Sequence, residues 1–199
     1  YACVSYIDAL VGQVVDELER LELDENTIVV FWSDHGWQLG EHTMFGKMSN
    51  FDMATNSPLI IRVPGFNEAG SRINGLVETL DIYPTLAELC GIEPPDNLDG
   101  KSMVDLLNHP ASKGKPYARS FYYRKGALGK TLKTERYRIV RWADEKDSTM
   151  ALELYDHEVD RSENFNLAKQ QYQVTDSLER LLKTVRYMDP YAPFQRGWE

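Results

Sequence analysis

The run Thr27-Ile-Val-Val-Phe-Trp32 stops abruptly at Ser33-Asp-His-Gly36. Six β-branched, apolar and aromatic residues bounded by turn formers predict a short strand buried on both faces, as in parallel sheets. Ahead of it, Val4, Ile7, Val11, Val14, Val15 and Leu18 recur at helical spacing, with Asp16, Glu17, Glu19 and Arg20 on the other face. Residues 3–21 therefore read as an amphipathic helix, followed by a turn at Asp24-Glu25-Asn26. Pro58–Val63 reads as a second strand ended by Pro64-Gly65, and Ser71–Glu78 as a short third one. Leu80–Cys90 reads as a helix kinked near Pro84 and stopped by Gly91. This alternation predicts an α/β fold class for residues 1–115, part of a larger sheet domain. Thr27–Trp32 and Pro58–Val63 are expected as neighbours or near-neighbours in one mainly parallel sheet.

The pattern changes after Leu107. His109–Pro116 (HPASKGKP) has the composition of a linker. Three strand-like runs follow, Ala118–Arg124, Tyr137–Trp142 and Ala151–Asp156, and then a helical stretch, Gln170–Val185. Residues 116–199 are thus expected to form a small α+β subdomain, an antiparallel sheet covered by one helix. The tail Tyr187–Glu199 carries Tyr187, Tyr191, Phe194 and Trp198 without periodicity and is expected to lie irregularly over the body.

With 42% hydrophobic and 27% charged residues among 199, the composition is that of a globular chain. Its net charge of -9 argues against a nucleic-acid partner, since phosphate backbones are held by Lys and Arg. A local basic group can still meet a small anion. No apolar run approaches the roughly 20 residues of a membrane span. Cys3 and Cys90 belong to no CxxC pair; one disulfide is open to them, but they read as two buried thiols. The opening Tyr1-Ala-Cys-Val-Ser-Tyr is already patterned, so the chain is expected to start within a longer protein.

The chemistry lies just after the first strand. Ligands of open α/β sheets bind beyond the carboxyl ends of strands. Adjacent side chains on a strand point to opposite faces, whereas in a loop Asp34 and His35 can turn toward one ion, with Gly36 freeing the backbone. A carboxylate oxygen beside an imidazole nitrogen suits a divalent metal. An Asp-His-Gly turn also forms simply because Asp accepts backbone N–H bonds, and either reading fits these residues taken alone. In isolation Lys47 reads as a surface lysine, His42 as a structural histidine and Trp37 as a packing residue.

The residues carry more in order. Ser33-Asp-His-Gly-Trp-x-Leu-Gly-Glu-His42, then Lys47, Ser49-Asn-Phe-Asp-x-Ala-Thr55 and Pro58-Leu-Ile60, resemble the metal-binding segment of sulfatases of the alkaline phosphatase superfamily, nearest to the iduronate-2-sulfatase type. Tyr6–Gly12, Asp81–Leu86 and Leu154-Tyr-Asp…Glu163-Asn-Phe-Asn-Leu-Ala168 are similar to the same family. The resemblance implies that Asp34 and His35 are two ligands of one Ca²⁺, that Lys47 contacts the sulfate, and that Trp37 and His42 shape the substrate pocket. It implies a sulfated-carbohydrate substrate and a secreted, periplasmic or lysosomal location. Many sulfatases have Asn where His35 stands. The family's nucleophile is a formylglycine made in a C/S-x-P-x-R motif, and neither Cys3-Val-Ser-Tyr-Ile nor Cys90-Gly-Ile-Glu-Pro has that form, nor does any serine. The paired aspartates of the family's N-terminal region are missing too. The resemblance therefore implies a C-terminal portion, completed by the N-terminal part of the same sulfatase and inactive alone. Superfamily phosphodiesterases and phosphonate monoester hydrolases carry similar segments. A non-catalytic carbohydrate-binding module is the alternative outside enzymes.

Overall fold

The computed structural model describes residues 1–185, so the expected tail Tyr187–Glu199 lies outside the described residues. Helix α1 (Ala2–Arg20) forms as its periodicity predicts, yet none of its residues is buried. Val4, Ile7 and Val14 stand exposed along its apolar stripe. Cys3 and Cys90, expected as buried thiols, are free but exposed, since neither α1 nor the end of the helix at Cys90 is covered among the described residues. Strands β1 (Val29–Trp32) and β4 (Leu59–Arg62) are hydrogen-bonded neighbours, as expected, but they pair antiparallel, with Phe31 opposite Ile60.

The parallel expectation fails for a local reason. The chain leaves β1, makes an excursion through the hairpin of β2 (Gln38–Leu39) and β3 (Phe45–Gly46) and the short helix α2 (Asp52–Thr55), and returns at the same end. There the Ser33 N–H donates to the Pro58 carbonyl at 3.2 Å. A parallel partner would need a crossover that carries the chain back to the far end of the sheet. Phe31, Trp32 and Ile60 remain exposed, so the two-sided burial read from the sequence is not supplied by the described residues.

Residues 71–78 form no strand. They lie against the expected linker, to which the Leu76 carbonyl accepts a single backbone bond from Lys115 N–H at 2.9 Å. A Cβ on Gly75 would come within 2.7 Å of the Gly114 nitrogen, so this approach requires glycine. Nor is the stretch before β5 slack. Lys115 Nζ sits 2.5 Å from Glu78 and 2.6 Å from the buried Asp81. A 3₁₀ turn (Thr79–Asp81) leads into α3 (Ile82–Leu89). Pro84 falls in the first turn of α3, where its missing N–H has no helical partner to lose, and the expected kink becomes this change of helix type. Gly91, at φ 66°, closes α3, with Ile92 N–H donating to Ala87 and Gly91 N–H to Glu88, a Schellman stop.

After the short helix α4 (Val104–Asn108), β5 (Ala118–Arg124), β6 (Ala127–Lys133), β7 (Tyr137–Ala143) and β8 (Thr149–Asp156) form a four-stranded antiparallel meander in that order. Helix α5 (Tyr172–Thr184) packs on it, around Leu132, Ile139, Leu154, Ala168 and Leu182. Strand β6 is absent from the sequence reading. Its Gly129 and its polar residues hide a strand, and the Lys125-Gly126 turn before it has φ of 48° and 83°, as a type I′ hairpin requires.

Candidate functional site

The loop after β1 is held open toward solvent by contacts behind it. Ser33 Oγ donates to the His35 carbonyl at 2.7 Å, and Gly36 N–H donates to the Ala54 carbonyl at 2.9 Å. A Cβ on Gly36 would collide with the Met53 carbonyl group, whose carbon lies 2.9 Å from that position. Gly36 is thus demanded by close approach of the α2 backbone rather than by a left-handed φ.

Those contacts aim Asp34, His35 and Lys47 at one another. Asp34 is 79% exposed along its side chain, and its Oδ1 lies 3.4 Å from His35 Nε2. Lys47 Nζ lies 2.5 Å from the same Nε2. His35 Nδ1 is 2.7 Å from the Gly36 carbonyl, which can only accept. The ring proton is therefore on Nδ1, and the lone pair on Nε2 faces the carboxylate and the ammonium. Trp37, half exposed, flanks His35 with ring centroids 6.1 Å apart.

His42 is turned differently. Its Nδ1 is 3.0 Å from Gln38 Nε2, and its Nε2 is 2.8 Å from the Ser162 carbonyl. The ring stacks on Phe51, with centroids 3.7 Å apart. Both nitrogens are committed to the protein, so His42 fastens the β2–β3 hairpin to the turn after β8. Gln38, fully buried, also accepts from Ser49 Oγ at 3.0 Å and ties the two sides of the Lys47 loop together.

A second, buried polar cluster clamps that loop to the meander. Arg138 Nε donates to Glu163 Oε1 at 2.6 Å and its Nη1 to the Asn50 carbonyl at 3.1 Å, while its Nη2 reaches Asp52 Oδ1. Glu163 Oε2 accepts the Asp52 N–H at 2.7 Å, and His157 Nε2 donates to Glu163 Oε1, also at 2.7 Å. Lys133 caps His157 Nδ1. Burial pushes the Lys133 ammonium below its usual range and pushes the Glu163 carboxyl up, against the pull of Arg138. Asp52, His157 and Glu163 have ligand atoms within 4.8 Å of one another. Arg138 and Lys133 already supply the positive charge there, which disfavours a metal ion at this cluster. Sequence reading missed the clamp. Its signal was Arg138 inside the apolar run Tyr137–Ala143, since a charge within a buried strand needs a partner.

Residues 40–188 match the family model described as N-sulphoglucosamine sulphohydrolase, C-terminal. The chain belongs to the sulfatase family. Arylsulfatase K of Mus musculus is 30% identical over 194 residues, covering 93% of this chain and 34% of its own length. Iduronate 2-sulfatase of Homo sapiens is 40% identical over 149 residues, covering 62% of this chain and 26% of its own. The chain thus spans about a third or less of these sulfatase relatives. Among solved structures, a protein in complex with its substrate D-glucosamine-2-N,6-O-disulfate superposes with a TM-score of 0.76 at 27% identity, over 90% of this chain and 39% of that one. A phosphonate monoester hydrolase from Silicibacter pomeroyi gives the same TM-score at 27% identity, over 89% and 38%. The mixed helices and antiparallel sheets are those of the C-terminal part of a sulfatase α/β fold. No described helix is long and apolar enough to cross a membrane.

Proposed function

We propose that this chain is the C-terminal portion of an enzyme that hydrolyses sulfate esters of sulfated, glycosaminoglycan-like sugars. The observation that carries this reading is the convergence of Asp34, His35 and Lys47 within 3.4 Å contacts on one exposed ledge. Asp34 and His35 fit as two ligands of one Ca²⁺. With bonds of about 2.3–2.6 Å, adjacent ligand atoms of a six-coordinate ion lie about 3.3–3.7 Å apart, which the 3.4 Å between Asp34 Oδ1 and His35 Nε2 matches. The Nδ1–H bond to Gly36 holds the imidazole in the tautomer that ligation needs. When bound, the ion supplies positive charge to a sulfate oxygen.

Lys47 is assigned to the sulfate itself. Its compact ammonium accommodates tetrahedral oxygens without a fixed fork. Lys47 Nζ now meets the His35 lone pair, and with that lone pair given to a metal ion the ammonium would be left to the sulfate. Trp37 walls the pocket beside His35, and His42 acts by holding the hairpin in place. The formylglycine nucleophile and the remaining ligands belong outside these 199 residues, so the chain alone is expected to be inactive. Apolar Val4, Ile7 and Val14 of α1 with Phe31, Trp32 and Ile60 of the small sheet are exposed. We assign their cover to the N-terminal part of the same sulfatase. The division into residues 1–115 and 116–199, and a secreted, periplasmic or lysosomal setting, belong to the same reading.

The likeness to a phosphonate monoester hydrolase favours one second reading, hydrolysis of phosphonate or phosphodiester bonds on the same ledge. Incubation of the full-length protein with sulfated sugars and with a phenyl phosphonate monoester separates the two. Sulfate release is expected. Phosphonate cleavage without sulfate release would replace the sulfatase reading, and saccharide binding without any turnover would leave a carbohydrate-binding module.

A further inference from the structure

A cleft of about 150 Å³ opens beside the Lys47 loop, between that loop and the outer face of the meander. It begins one residue beyond Lys47. Met48 and Ser49 line it, and Ser49 N–H donates to the Lys47 carbonyl at 2.8 Å, so the two places share one tight turn. From the sheet come Tyr122 and Arg124 of β5, Trp142 of β7 and Glu153 of β8. Tyr122 and Trp142 meet edge to face, with centroids 6.5 Å apart. Trp142 Nε1 donates to Glu153 Oε1 at 2.9 Å, and Tyr155 Oη donates to Glu153 Oε2 at 3.1 Å. Gly129 makes room for this wall, since a Cβ there would stand 2.9 Å from the Trp142 ring.

Two groups in the cleft lack partners of their own. Asn50, 4% exposed, lines it and donates through Nδ2 to the Gly129 carbonyl, but its buried Oδ1 accepts nothing among the described residues. An unsatisfied buried acceptor costs stability unless a ligand donor meets it. Arg124 is exposed, and its guanidinium has no hydrogen bond or ion pair among the described residues. Aromatic faces, two oxygen acceptors and a free guanidinium make up the recognition set for an anionic sugar: a ring over apolar carbon, hydroxyl donors to oxygen, and a bidentate cation for an acid group.

We propose that this cleft binds a second saccharide unit, the one adjoining the sugar whose sulfate faces Lys47, and that Arg124 meets an anionic substituent on it. The proposal rests on the sulfatase reading and makes the enzyme prefer oligosaccharides. It is tested on the full-length protein with sulfated disaccharides from heparin and chondroitin, each beside its sulfated monosaccharide. Arg124→Ala is expected to lower kcat/KM on the preferred disaccharide at least ~10-fold, about the worth of one charge-assisted bond, while the monosaccharide rate stays unchanged. Arg124→Lys, which keeps the charge and loses the fork, is expected to recover part of the loss. Equal effects on both substrates, or none, would overturn the subsite. A calorimetric titration with the same disaccharides, desulfated but retaining the uronate, gives a readout that needs no turnover. Binding by the wild type that is lost in Arg124→Ala supports the subsite even if no sulfate is released, in which case the sulfatase reading fails alone. No such binding, or binding unchanged in Arg124→Ala, removes the subsite.

Discussion

Lys47 Nζ lies 2.5 Å from His35 Nε2, so an ammonium occupies the imidazole lone pair that a metal ion would take. In the proposed site a calcium ion on His35 would take the nitrogen that Lys47 now meets and leave the ammonium to the sulfate. In the full-length protein, about one calcium per chain is expected by plasma mass spectrometry, with loss on Asp34→Ala or His35→Ala. The 199-residue chain alone presents two ligands where calcium wants about 6–8, so calorimetry is expected to show no submicromolar binding. Tight binding by that chain would contradict the shared-site account.

The clamp behind the loop yields a stability prediction. Arg138 is buried, with Glu163, Asp52 and the Asn50 carbonyl around it. Arg138→Ala leaves Glu163 buried without its main counter-charge and is expected to cost about 3–5 kcal/mol. Urea unfolding of the full-length variant reads this directly. A loss below about 1 kcal/mol would show the clamp to be solvated in solution.

How much of this was legible in the sequence depended on whether the signal was local. The β1 run, the Gly91 stop and the aromatic-rich β5 each declare themselves within a few residues. Asp34, His35 and Lys47 were readable as a group because their order along the chain is distinctive. The pairing direction of β1 and β4 was not, since it depends on where a 26-residue excursion returns, and that rests on contacts such as Gly36 against Met53–Ala54. Strand β6 was hidden because Gly129 is there for Asn50 and Trp142, residues far away in sequence. The clamp joins Asp52 to Arg138 and Glu163, separations of 86 and 111 residues that no local pattern reports.

Gly36 offers a sharp steric test. Gly36→Ala places a methyl against the Met53 carbonyl group, which is backbone and cannot swing aside. A loss of about 1–3 kcal/mol is expected, the usual scale of overpacking. An unchanged melting temperature would show that α2 does not press on the loop as described.

Acid sensitivity follows from Glu78. Burial opposes its ionisation, but Arg119 and Lys115 outweigh that and hold the carboxyl below its ordinary 4.5. As pH falls below 4.5, the unfolded chain takes up the Glu78 proton first and the folded chain resists it. The stabilisation is therefore complete above 4.5 and is lost as pH falls through the lowered value. Glu78→Gln is expected to be less stable than wild type near neutrality, with the gap narrowing in acid. A gap that widened as pH fell in urea titrations would reverse the assignment.

The central claim, that this ledge grips a sulfate, is tested most directly by steady-state kinetics of Lys47→Ala in the full-length enzyme on a sulfated sugar, with thermal melting alongside. Lys47 is exposed, so the melting temperature is expected to hold. kcat/KM is expected to fall at least ~10²-fold, the scale of losing one preorganised electrostatic contact to the transition state. A folded Lys47→Ala enzyme with near-wild-type kcat/KM would contradict the account and remove Lys47 from the site.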